Sequence, residues 1–173
     1  ISIAMNTKTS VAAQIEQATG LSVVNDIAPL FQKNSALAIV PHPLAMIPVS
    51  ISLLTEVNDA AKAQATMEKA TAALVKAFNQ GLEGADVQTV KQQSISGANV
   101  NSFGQLTPDD YIYNYAVRAK DLLVSSSLDE MKALLSPAKT LATSANYPAF
   151  LKQAGAVNGA TFVNVRGIVE LVK

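Results

Sequence analysis

Between Val49 and Phe78 the apolar residues of this chain change their repeat, and that change limits the fold more than any other feature. Val49, Ile51, Leu53 and Val57 alternate with Ser50, Ser52 and Glu56, the period of a strand with one buried face. Ala63, Met67, Ala70, Leu74 and Phe78 then recur at spacings of four, three, four and four, which draws a single stripe down a helix. Asn58 and Asp59 stand between the two patterns, where a helix needs a capping side chain. A strand that feeds directly into a long amphipathic helix requires a mixed architecture. The stripe predicts that Met67, Leu74 and Phe78 are buried against a sheet.

The rest of the chain extends this pattern. Ser10 to Thr19 reads as a short helix stopped by Gly20, and Val23 to Gln32 as a second with Asn25 and Asp26 in its first turn, although Pro29 fits only near a helix start. Ala36 to Val40 is an apolar run of strand length, and Pro41, Pro43 and Pro48 break the stretch after it. Gly81 and Gly84 end the long helix. Val87 to Gly104 is polar but β-prone, with a turn at Ser96 to Asn99, and Thr107 to Asp110 is another turn. Tyr111 to Val117 and Asp121 to Val124 form a hairpin across Arg118 to Lys120. Ser127-Leu-Asp-Glu130 has the capping-box form, with Ser127 as cap and Glu130 reaching back, and Met131, Leu134 and Leu135 are the apolar face of its helix. Pro148 to Gln153 reads as a helix, Ala160 to Val165 as a last strand, and Ile168 to Val172 as its apolar sequel. The segments 36–80 and 111–135 each run strand, strand, capped helix. Together these elements predict an α+β fold: an antiparallel, curved sheet with one long and several short helices packed on one face.

A chain of 173 residues suits one domain, here residues 1–173. Domains of this size bury roughly 70% of their unfolded surface and need no staple. Hydrophobic residues make up 49% of the chain but aromatic ones only 5%, so the core is assembled from Ala, Val, Leu and Ile. With Ile1 in first place, the chain reads as a processed or partial product. Thirteen basic residues balance thirteen acidic ones with no like-charged block. That excludes the basic stripe nucleic acid requires and electrostatic docking on anionic lipid. No apolar run has the roughly 18 residues of a membrane span, so no membrane insertion is expected from these residues.

The chain contains no cysteine, which removes disulfides, thiolate metal sites and thiol nucleophiles. His42 is the single histidine. It lies between two prolines in a loop, with no nucleophile or orienting acid placed beside it, and zinc would need three or four ligands. Carboxylate pairs able to share acid and base work occur at Asp109 with Asp110, Asp129 with Glu130, and Glu83 with Asp86. Asp109 and Asp110 have a backbone role in a turn, and Asp129 and Glu130 in a helix cap. Glu83 and Asp86 offer at most a loose cation site without EF-hand spacing. Gly81-Leu-Glu-Gly84 lacks the features of a phosphate loop and closes a helix instead of opening one. No catalytic, cofactor-binding or metal-binding residue is assigned, no cofactor is expected, and the chain is read as a non-enzyme.

Tyr111, Tyr113 and Tyr115 are the candidate partner-contact residues. Alternation places their rings on one strand face with Val117. One reading is an aromatic strip that grips a partner. The other is a core margin, with apolar rings inside and hydroxyls at the water.

Ile15 to Leu21 followed by Asn25 to Phe31, the strand Ala36 to Val40, and the strand ending Glu56-Val-Asn-Asp-Ala60 before its long helix resemble the bacterial family catalogued as protein of unknown function 3352. So do Tyr113 to Ala119, Asp121 to Ser126, Leu141 to Lys152 and Ala160 to Val165. This order covers nearly the whole chain. The resemblance implies an exported domain, periplasmic, on the cell surface or secreted, often behind a signal or anchor and sometimes in tandem, with no assigned catalytic residues. The function expected is a non-enzymatic interaction or accessory domain, a subunit of an envelope-associated assembly, whose partner is another protein of the envelope or outside the cell. The alternative is a carrier that shelters an apolar ligand between sheet and helices.

Overall fold

The change of period at Val57 is the pivot of the fold. A computed structural model of the chain describes residues 11–41, 49–84, 87–108 and 110–137. His42, Asp86 and Asp109, the helix expected at Pro148 to Gln153, and the strand Ala160 to Val165 with its sequel lie outside the described residues.

Helix α1 (Val11–Thr19) ends at Gly20, whose φ of +68° suits glycine. The second expected helix is broken instead into a π-helical turn (Val23–Ile27) and a 3-10 turn (Ala28–Phe31) with Pro29 in its first turn. Proline cannot donate the backbone bond that a continuous α-helix would need there. Strands β1 (Ser35–Pro41) and β2 (Val49–Glu56) pair antiparallel and lead to helix α2 (Ala60–Phe78). Asp59 caps α2, its carboxylate accepting the Lys62 N–H at 2.9 Å.

Four strands follow: β3 (Lys91–Ile95), β4 (Ala98–Thr107), β5 (Asp110–Arg118) and β6 (Asp121–Ser125). Ser96 and Gly97, with φ of +50° and +77°, make the two-residue turn from β3 to β4, the sign of φ that matches the strands' twist. The six strands lie in the order β1-β2-β6-β5-β4-β3, and every neighbouring pair is antiparallel. The connection through α2 therefore carries the chain from the inner strand β2 to the far edge strand β3. Helix α3 (Leu128–Leu135) follows β6 after two residues.

The α+β class and the antiparallel sheet are as the sequence predicts, but the helices divide between both faces. Leu122 and Leu123 are consecutive and both buried, so each face of β6 has apolar surface to cover. On one face Ala63 and Met67 of α2 pack with Leu30, Val57, Tyr115 and Leu122. On the other, Leu128, Met131 and Leu135 of α3 pack with Val100, Ala116 and Leu123. The two strand-strand-helix segments both form, with β2 beside β6, yet their helices take opposite faces. The repeated order is not a repeated fold.

The stripe of α2 needs correction. Ala63 and Met67 are buried together with Thr66 and Thr71, but Leu74 is 41% exposed and Phe78 is also largely exposed. Phe78 stacks edge-on against Phe103 of β4, ring centroids 5.3 Å apart. The burial of α2 is concentrated in its first half, over β5 and β6.

The capping box is also replaced. Ser127 occupies the cap position with extended backbone, but its side chain makes no capping bond to α3. The acceptor is Asp110, whose carboxylate takes the Leu128 N–H at 3.2 Å. At the other end of α3, Arg118 donates to the Leu135 carbonyl at 2.9 Å. The two ends of β5 thus hold the two ends of α3, each with the charge that the helix dipole favours.

Candidate interaction edge

Of the carboxylates considered for catalysis, Asp110 and Asp129 are occupied in structural roles and Glu83 stands apart. Asp110 accepts from the backbone of Tyr111 and Leu128. Asp129 pairs with Lys132 on an exposed helix surface at 2.7 Å, and Glu83 is exposed beyond α2. Among the described residues no three His, Cys, Asp or Glu side chains gather as metal ligands do. No helix among them is long and apolar enough to cross a membrane.

The tyrosines do not form one strip. Tyr113 and Tyr115 lie on the α2 face, ring centroids 5.9 Å apart, and pack with Val117. Tyr111 packs with the α3 cluster, and Lys91 stands 5.6 Å from its ring. Strict alternation therefore fails at Tyr111, and the pairing of β4 with β5 shifts register just beyond it, between Gln105 and Thr107. Tyr111 and Tyr115 are 3% and 1% exposed. Burial raises the Tyr113 hydroxyl's pKa and pushes that of Tyr115 up to about 12.

Cavities are modest or open. The space between α2 and the turn before β1, lined by Leu30, Val57 and Ala63, is about 50 Å³, against the roughly 300 Å³ at which ligand pockets begin. A cleft of about 720 Å³ lies beside β3 and the end of β4, between Val87 to Lys91 and Gln105 to Pro108. It is broad and open to solvent.

The feature that stands out is the β1 edge. Among the described residues no strand pairs with its outer side. Leu37 and Ile39 are 67% and 66% exposed, and Ile51, opposite Ile39 on β2, is 48% exposed. The register places Leu37, Ile39, Ile51 and Leu53 on one face, continuous through Leu53 with Val124 of β6. Helix α2 covers β5 and β6 on that face and leaves Leu37, Ile39 and Ile51 in the open.

Main-chain geometry adds a second property. The Glu56 N–H donates to the Asn34 carbonyl at 2.9 Å, so by antiparallel alternation the even-numbered residues of β1 bond inward to β2. The N–H and C=O groups of Ser35, Leu37 and Ile39 point outward. The strand Ser-Ala-Leu-Ala-Ile-Val-Pro carries no charge. The nearest ionic groups, Lys33 and Glu56, satisfy each other at 3.2 Å, and the Lys33 hydrogen bond and charge hold the Glu56 carboxyl below its ordinary pKa. Sequence reasoning finds this strand but not its exposure, because an apolar run of strand length reads the same at an edge as in a core. The absence of any charge between Ser35 and Pro41 marks an unguarded edge only once the strand is known to be one.

An open antiparallel sheet with helices on both faces and a bare apolar edge defines a small α+β domain. The family profile described as Protein of unknown function (DUF3352) matches residues 4–173, and the chain belongs to that family. No curated protein and no solved structure matches it.

Proposed function

We propose that this domain is a non-enzymatic interaction module, acting outside the cytoplasm as an accessory part of an envelope-associated assembly. It would take its partner by strand addition at β1. The observation that carries the reading is the coincidence on one strand of outward-facing backbone groups and the exposed side chains of Leu37 and Ile39. Strand addition uses both at once: main-chain bonds supply affinity, and alternate side chains supply specificity. Natural edge strands are ordinarily blunted by charge, proline or a bulge, and β1 has only Pro41, at its last position. The export that the family resemblance implies supports a partner in the envelope or outside the cell.

The test is site-specific crosslinking in cells that express the natural full-length protein. A photoreactive aromatic residue at Leu37 is compared with one at Val24, which is 71% exposed on the opening π-turn. Discrete protein adducts from position 37 and not from 24 support the reading, and equal or absent adducts at 37 overturn it. Fractionation of the same cells tests the location, with recovery in the cytoplasm opposing it.

A further inference from the structure

The β1 edge is complementary to itself, and we propose that its occupant is a second copy of this chain, paired antiparallel about a two-fold axis at Ala38. This inference rests on the interaction reading above and names its partner.

The argument begins with direction and register. Ala38 is the midpoint of Ser35–Pro41, so a two-fold there pairs the whole strand with its copy. Leu37 faces Ile39 of the second copy, and Ile39 faces its Leu37. These are the residues whose N–H and C=O groups point outward, so each pairing exchanges two main-chain hydrogen bonds. Ser35 meets Pro41 of the copy and donates its N–H to the proline carbonyl, and proline's missing N–H ends the run. No slipped register satisfies as many groups, because any slip leaves one end of each strand unpaired.

Side chains follow the same symmetry. Leu37 and Ile39 of both copies fall on one face beside Ile51 and Leu53, joining two exposed aliphatic strips into one. Charge favours the same occupant. The strand is uncharged, its flanking Lys33 and Glu56 are mutually paired, and the chain's formal net charge is zero, so two copies meet without repulsion. A partner strand with inward-facing charges would bury them against Leu37 and Ile39 at a loss. The contact is one strand edge and a few aliphatic side chains, below the roughly 1,200 Å² of a standard stable interface. The dimer is therefore weak and concentration-dependent.

Because the chain has no cysteine, one introduced thiol reports the register cleanly. Across the two-fold, Ala38 faces its own copy in a non-hydrogen-bonded pair with Cα atoms about 4.5 Å apart, within disulfide range. Under mild oxidation Ala38→Cys should give a disulfide-linked dimer at least roughly tenfold faster than Val24→Cys, the advantage of a held contact over collision. Leu37→Cys and Ile39→Cys should each be slow alone and fast when mixed. Sedimentation of the unmodified chain should show a dimer that grows with concentration. The Ile39→Lys variant should stay monomeric with an unchanged circular dichroism melt. A monomer at every concentration, or Ala38→Cys coupling no faster than Val24→Cys, overturns the proposal. If adducts at Leu37 then join a different protein, the interaction reading stands and only the second copy is lost. If position 37 gives no adducts, both fall.

Discussion

Gly104 shows how one residue shapes a region much larger than itself. Its φ of +72° lies where side chains are strained, and a Cβ built there would sit 2.4 Å from Cγ1 of Ile112 on the neighbouring strand. Both costs apply to Gly104→Ala, so a loss of about 2–4 kcal/mol is expected from the left-handed backbone and the overlap together. Pairing it with Ile112→Ala should recover the overlap but not the backbone cost, a positive coupling that a double-mutant cycle in urea would measure. Purely additive losses would mean that Ile112 moves aside freely. Asp110 makes a second residue-scale case. Asp110→Ala removes the carboxylate that accepts the Leu128 N–H and should cost about 1 kcal/mol, the usual worth of a helix cap, readable as a lowered midpoint of thermal unfolding.

At the scale of elements, α2 is legible in the sequence as a helix but not as one buried in part. Its period and the Asp59 cap are local properties, whereas what lies beneath each turn depends on strands far away in sequence. Met67 sits over Tyr115 and Leu122, so Met67→Ala should cost roughly 2–5 kcal/mol. Leu74 is 41% exposed, and Leu74→Ala should cost less than about 1 kcal/mol, near the range of surface substitutions. Chemical denaturation of the two variants decides the point, and equal losses would place the far half of α2 in the core. The cap of α3 escapes local reading for the same reason. Ser127 and Glu130 have the right spacing for a box, but Asp110 at the start of β5 comes close enough to take the amide. Simple alternation predicts one face for the tyrosines, whereas Tyr111 packs in the cluster on the other. Hairpins, whose partners are neighbours in sequence, are legible at β3-β4 and β5-β6. The joining of β2 to β6 and the exposure of β1 depend on distant pairing and are not.

For the whole molecule, the buried tyrosines set an alkaline limit. Tyr113 and Tyr115 have folded-state pKa values raised by burial, Tyr115 to about 12, against about 10 when unfolded. Their protonated forms belong to the folded state, so this contribution is whole below about pH 10 and disappears as pH rises towards about 12. Stability measured by urea unfolding should fall across that window, with the fall reduced in Tyr115→Phe; a flat profile would refute the burial of both hydroxyls. Glu56 acts with the opposite sign: its lowered pKa makes a contribution present above the normal glutamate value and lost as pH falls. Its exposure keeps that effect small. Beneath α3, the sheet carries two successive rungs of different kinds. Leu54, Leu123, Ala116 and Val100 make an apolar one. Ser52, Ser125, Asn114 and Ser102 make a buried polar one, joined by side-chain bonds of 2.8 Å from Ser52 to Ser125 and from Ser102 to Asn114. The Asn114 amide also donates to the carbonyls of Tyr111 and Ser125. Hydrophobic surface is indifferent to sliding by two residues, since another aliphatic side chain serves nearly as well. A carboxamide in a dry interior is not, because each misplaced donor goes unanswered. The four inner strands therefore close like a combination lock, with Asn114 as the tumbler that admits a single alignment, while the outermost strand, which has no such tumbler on its free side, is left to choose its neighbour.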